Sequence, residues 1–139
     1  PKRNDKTAVL WFAKAAKQNH LEAIGNLALH YESGQGVKRN LRTAIRLYTK
    51  AALEGLPWAQ CNLGTRYADG IGVRRDERHA LHWFRASAKR GDDKGQYNLA
   101  LAYLYGEGIR KNSRLAKYWL QKAAKLGHRK AKSLLKELS

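Results

Sequence analysis

The chain has 139 residues, 43% of them hydrophobic, which is enough for a single domain with a buried core. No run reaches the roughly 18 consecutive apolar residues of a membrane-spanning helix, and no signal peptide is visible. Lysine and arginine total 28 against 11 acidic residues, a formal charge of +17, and the lone Cys61 excludes an internal disulfide and leans toward a reducing, intracellular compartment.

In chain order, the first predicted element is a helix over 5–17 with Trp11, Phe12, Ala15 and Ala16 on its apolar side. Asn19, a residue that tolerates left-handed backbone, stands at its end. The helix that follows carries Leu27, Ala28 and Tyr31, and Gly34 and Gly36 stop it. Asn40 then opens a helix with Ala44 and Tyr48. The same grammar returns from Ala59, where Leu63, Gly64 and Tyr67 follow at i+4, i+5 and i+8 and share one helical stripe. Gly70 and Gly72 break that helix, and Asp76 caps the next one, whose stripe is Ala80, Phe84, Ser87 and Ala88 and whose end is Gly91. From Gly95 the pattern runs a third time through Leu99, Ala100, Tyr103, Gly106, Gly108, Asn112, Ala116 and Leu120.

These elements recur without slip every 36 residues, the signature of a solenoid of helical hairpins. Each unit pairs a helix A with a helix B, and neither buries its stripe without a neighbouring unit. The expected organisation is one domain over 1–139, with a half unit holding only helix B at 5–22 and full units at 23–58, 59–94 and 95–130. A terminal helix at 131–139 has Lys136 where Ala28, Gly64 and Ala100 pack, which predicts a polar cap. The opening on Pro1 and half a unit reads as a piece of a longer parent.

The pattern A-x-x-x-L-G-x-x-Y-x-x-G-x-G-V, then Asp or Asn, A-x-x-W-[FY] and [KR]-A-[AS], resembles the Sel1-like repeat family, relatives of tetratricopeptide repeats. Its G-x-G-V turn distinguishes the period of 36 from the 34 of the tetratricopeptide unit. Gly95 and Ser87 depart from the usual alanines. The resemblance implies an all-α, right-handed α-α superhelical solenoid acting as a scaffold or adaptor that binds another protein or peptide, without catalysis or cofactor.

Charge is distributed in register with the repeat. Lys2, Arg3, Lys38, Arg39, Arg74, Arg75, Arg110 and Lys111 precede helix B, and Lys6, Arg42, Arg78 and Arg114 sit in its first turn. Cations there oppose the helix macrodipole, so something other than helix stability maintains them. They form an expected basic ridge, read either as a solvated surface or as an edge for an acidic protein, a lipid headgroup surface or nucleic acid. Trp11, Phe12, Tyr48, Trp83, Phe84 and Trp119 recur at packing positions, which argues against base stacking and leaves duplex backbone contact as the alternative.

In tetratricopeptide-like superhelices helix A lines the concave groove, so the resemblance points to Asn26, His30, Gln60, Asn62, Arg66, Gln96 and Asn98 as candidate partner contacts. An asparagine amide offers donors and an acceptor to a peptide backbone, or bonds within its own hairpin. Trp58, Tyr97 and Tyr105 are further aromatic surfaces. No catalytic or metal site is expected. His79 and His82 share a helix face without a third ligand, Cys61 has no histidine partner, and the G-x-G turns lack the preceding strand and third glycine of a dinucleotide site. Asp92 and Asp93 read as a solvated turn and helix start.

Overall fold

The computed structural model describes residues 4–139. The described residues form helices joined by short turns: α1 (Asp5–Lys17), α2 (Leu21–Ser33), α3 (Leu41–Leu53), α4 (Pro57–Asp69), α5 (Glu77–Lys89), α6 (Asp93–Tyr105), α7 (Ser113–Lys125) and α8 (Arg129–Leu138). Each helix packs on its sequence neighbours, and α4 also reaches α6. The result is an all-α superhelical solenoid of two layers, α2, α4, α6 and α8 in one and α1, α3, α5 and α7 in the other; the contact of α4 with α6, which no pair of the second layer matches among the described residues, marks the first as the inner one. The inner helices begin at Leu21, Pro57, Asp93 and Arg129, two residues ahead of the alanine and glycine positions that marked the repeat. Pro57 suits a first helical position, and the Asp92 side chain accepts from the Gly95 amide at 2.8 Å.

One residue per unit both ends the loop and starts the outer helix. The backbone N–H groups of Asn40, Asp76 and Asn112 donate to the carbonyls of Tyr31, Tyr67 and Tyr103 at 2.9 Å. Their side chains then accept from the amides of Thr43, His79 and Leu115 at 3.0 Å. Such caps contribute about 1 kcal/mol apiece. At the other junctions Asn19 takes a φ of 60°, as expected of the residue standing where Gly55, Gly91 and Gly127 stand.

The second glycine of each turn couples units. Gly108 has a φ of 75°, and a Cβ on it would lie 2.7 Å from the Glu77 carbonyl oxygen at the start of α5. The turn of one hairpin therefore rests on the first turn of the preceding outer helix. Tyr48, Ile24, Leu63, Leu99 and Leu120 are fully buried between the layers. Gly64 lets α5 come close, since a Cβ there would be 2.6 Å from the Phe84 ring.

The two departures from alanine compensate one another. A Cβ on Gly95 would collide with the Ser87 hydroxyl, which donates to the Phe84 carbonyl at 3.1 Å. Elsewhere the corresponding residues are alanine against alanine, at 51 and 59 and at 123 and 131.

A second set of substitutions also moves together. Between α2, α3 and α4, Arg66 holds Glu32 through Nε and through Nη2 at 2.7 Å, while the Tyr48 hydroxyl donates to Glu32 at 3.1 Å. One unit later the same positions are Ala102, Ala68 and Phe84, so the carboxylate, the cation and the hydroxyl vanish as a group. A buried charge left alone would cost more than an apolar replacement of the whole set. Burial pushes Glu32 upward, but Arg66 and the Tyr48 hydroxyl outweigh it and hold the carboxyl below its usual range.

Gly95→Ala is expected to lower stability by about 1–3 kcal/mol in urea unfolding despite its better helix propensity, and Ser87→Ala added to it to recover most of the loss. A double variant no more stable than the single would show that the two positions do not compensate. The depressed Glu32 value adds stability that is present above the ordinary glutamate range and is lost as pH falls through the lower, folded value. Wild type is therefore expected to lose more stability than Glu32→Gln between about pH 7 and about pH 3. Equal losses would mean that the pair contributes nothing.

Candidate functional site

The inner face changes character along the solenoid because of one repeat position, occupied by Glu22, Trp58, Lys94 and Lys130. At the first junction Trp58 lies over Gly25, where a Cβ would be 2.5 Å from its ring, and its indole N–H donates to Glu22 at 3.0 Å. That end of the groove is sealed by an aromatic plate. At the later junctions lysines replace the tryptophan, and a hollow of about 410 Å³ opens across α4, α6 and the start of α8. Asn62, Thr65, Tyr97, Asn98 and the cations Lys94, Arg129 and Lys130 line it, with Cys61 and His128 at its floor and side.

The floor is fixed by packing. Tyr97 stacks on His128 with centroids 4.5 Å apart, and the His128 ring accepts the Ala131 amide at 3.1 Å to cap α8. Asn98 reaches the Cys61 sulfur at 3.5 Å. Burial pushes the Cys61 thiol up to about 12, with Asp92 adding to the rise, so it stays a thiol and is no nucleophile at neutral pH. Burial also raises Asp92 above its ordinary value.

Of the seven inner-face residues singled out in the sequence, Asn62 and Asn98 line the hollow and Asn26 continues their row on α2, its amide donating to the Glu22 carbonyl at 2.8 Å. Gln60 and Gln96 are instead buried, and their amides donate to the Ala52 and Ala88 carbonyls at 3.0 and 3.3 Å. They tie α4 to α3 and α6 to α5 and present nothing to a partner. His30 is also buried, donating from Nδ1 to the Gln35 carbonyl at 2.9 Å, and Arg66 is committed to Glu32. Lys94, Arg129 and Lys130 were missed because their repeat positions hold unlike residues; aligning 22, 58, 94 and 130 as a column is the signal that finds the lysines.

The ridge residues Lys6, Lys38, Arg39, Arg42, Arg74, Arg75, Arg78, Arg110, Lys111 and Arg114 are exposed, and Lys2 and Arg3 lie outside the described residues. Two of them have a structural task. Arg39 and Arg75 donate through Nε to the Glu32 and Ala68 carbonyls at 3.1 and 3.2 Å, satisfying helix ends that have no partner of their own. A cation here faces the C-terminus of the inner helix as well as the N-terminus of the outer one, which offsets its conflict with the outer macrodipole. Arg75 also pairs with Glu77 at 2.7 Å in an exposed bridge of little energetic weight.

His79 stacks on Tyr67 and His82 lies edge-on to Trp83. Among the described residues no group of three or more metal-ligating side chains converges, and no helix is long and apolar enough to cross a membrane.

With this geometry in view, the Sel1 repeat matches four segments of the chain, residues 1–20, 21–56, 59–92 and 93–128. A Sel1 repeat protein from Oxalobacter formigenes superposes with a TM-score of 0.87 at 38% identity, covering 92% of this chain and 96% of that one. A protective antigen of uropathogenic Escherichia coli strains, displaying the same repeat fold, gives 0.82 at 42% identity over 84% of this chain and 25% of its own. Cysteine rich protein B of Helicobacter pylori gives 0.75 at 25% identity, covering 94% of this chain and 93% of that one. No curated protein gives a match. The recurring hairpins, their turns and these likenesses place the chain in the Sel1 repeat family.

Proposed function

We propose that this chain is a non-catalytic interaction module that takes an extended segment of a partner protein along its inner face. Sel1-repeat proteins generally mediate protein–protein interaction, and the family is typically a non-catalytic scaffold. The observation that carries the assignment to the inner face is the row of Asn26, Asn62 and Asn98, two of which line an open hollow spanning three inner helices. An extended peptide carries one N–H and one C=O per residue, and a primary amide supplies both complements. Repetition every 36 residues sets Asn62 and Asn98 at the pitch of one hairpin, so a single strand of partner can meet both in succession at the open end of the face.

The double variant Asn62→Ala/Asn98→Ala tests the reading. On an array of immobilised decapeptides graded in charge, its strongest signals are expected to be about tenfold weaker than those of wild type. Each substitution also gives up a side-chain contact, Asn98 to the Cys61 sulfur and Asn62 to the Tyr48 hydroxyl, and is expected to cost about 0.5–1.5 kcal/mol of stability. Unchanged binding would remove the inner face from the account, and a large drop in thermal midpoint would make the asparagines structural.

A further inference from the structure

The hollow at the α6–α8 end of the groove carries a charge that its architecture does not require. Its rim has Lys94 on α6 and Arg129 and Lys130 on α8, all exposed, and no ion pair among the described residues neutralises them. Two carboxylates adjoin the hollow: Asp92, which caps α6 through the Gly95 amide and lies within electrostatic reach of Lys94, and Glu137, within reach of Tyr97; the three rim cations outnumber them. At the other end of the same face the corresponding position is Glu22, already bonded to Trp58.

The placement on α8 is unfavourable for the helix itself. Its first turn holds Arg129 and Lys130 and no acid, whereas α6 begins with Asp93. Cations at an N-terminus oppose the macrodipole; the C-terminus of α7, three residues before α8, offsets part of that conflict, and neither side chain gains by burial. A binding role accounts for a placement that folding disfavours.

Resting on the inner-face reading above, we infer that the partner segment is acidic, with its carboxylates held by Lys94, Arg129 and Lys130 while Asn62 and Asn98 bond its backbone. The cations and the two amides line the same hollow, so a single extended strand can meet both. Tyr97, stacked on His128, gives that strand an apolar floor. Opposite charge at such a rim raises the encounter rate and discriminates against basic segments.

The test uses a fluorescein-labelled decapeptide rich in aspartate and glutamate, its asparagine and glutamine isostere, and fluorescence anisotropy at physiological salt. Wild type is expected to bind the acidic peptide about tenfold or more tightly than the isostere. Arg129→Ala/Lys130→Ala and, separately, Lys94→Ala are expected to weaken the acidic peptide several-fold. The α8 variant is also expected to keep or raise its thermal midpoint, an opposite movement that a folding defect would not produce. Arg74→Glu/Arg110→Glu on the outer ridge is expected to leave the inner-face affinity within about twofold.

If the isostere binds as well as the acidic peptide, and both are lost in Asn62→Ala/Asn98→Ala, the acidic preference is overturned while the groove stands. If acidic binding is lost with the ridge variant and not with the rim variants, or if neither peptide binds, this inference is overturned.

Discussion

The close approach of inner and outer helices is the constraint on which the rest of the solenoid depends. It is set by residues with little or no side chain: Gly64 under Phe84, Gly95 against Ser87, and Gly108 against the start of α5. At these distances a single added methyl group meets a ring, a hydroxyl or a carbonyl, and protein interiors do not absorb such volume without shifting helices. The first contact sets the spacing inside a hairpin and the other two join one unit to the next, so local spacing becomes the pitch of the whole array. That pitch then fixes the separation between Asn26, Asn62 and Asn98.

Uniform geometry does not make the junctions chemically equivalent. The first is sealed on its inner face by Trp58 over Gly25 and tied beneath by Glu32, Tyr48 and Arg66. The second has Lys94 where Trp58 was, and an apolar Ala68, Phe84 and Ala102 where the charged set was. The same backbone thus yields a closed, neutralised end and an open, cationic one. Selectivity in a repeat array arises in this way, through side chains that vary on a frame that does not.

Much of the frame was legible in the sequence. The period of 36, the caps at Asn40, Asp76 and Asn112, and the left-handed turn at Asn19 each follow from local chemistry, and the structure shows them. The site was less legible, since the signals that identify it are differences between units. Gln60 and Gln96 resembled a surface row because they recur, yet recurrence also marks a buried amide that must find a carbonyl on the adjoining helix. Lys94 and Lys130 escaped notice because their column reads Glu, Trp, Lys, Lys. Gly95 and Ser87 were visible as two oddities, but only the fold brings them into contact and makes them one.

At 15.8 kDa the chain suits amide-resolved NMR, and the most direct measurement is a titration of the isotopically labelled protein with the acidic decapeptide. The account predicts that the largest shifts fall on the side-chain amides of Asn62 and Asn98 and on the backbone of Lys94, Tyr97, Arg129 and Lys130. Shifts concentrated instead on the outer-helix turns around Arg74, Arg78, Arg110 and Arg114, with the asparagine amides unmoved, would contradict it.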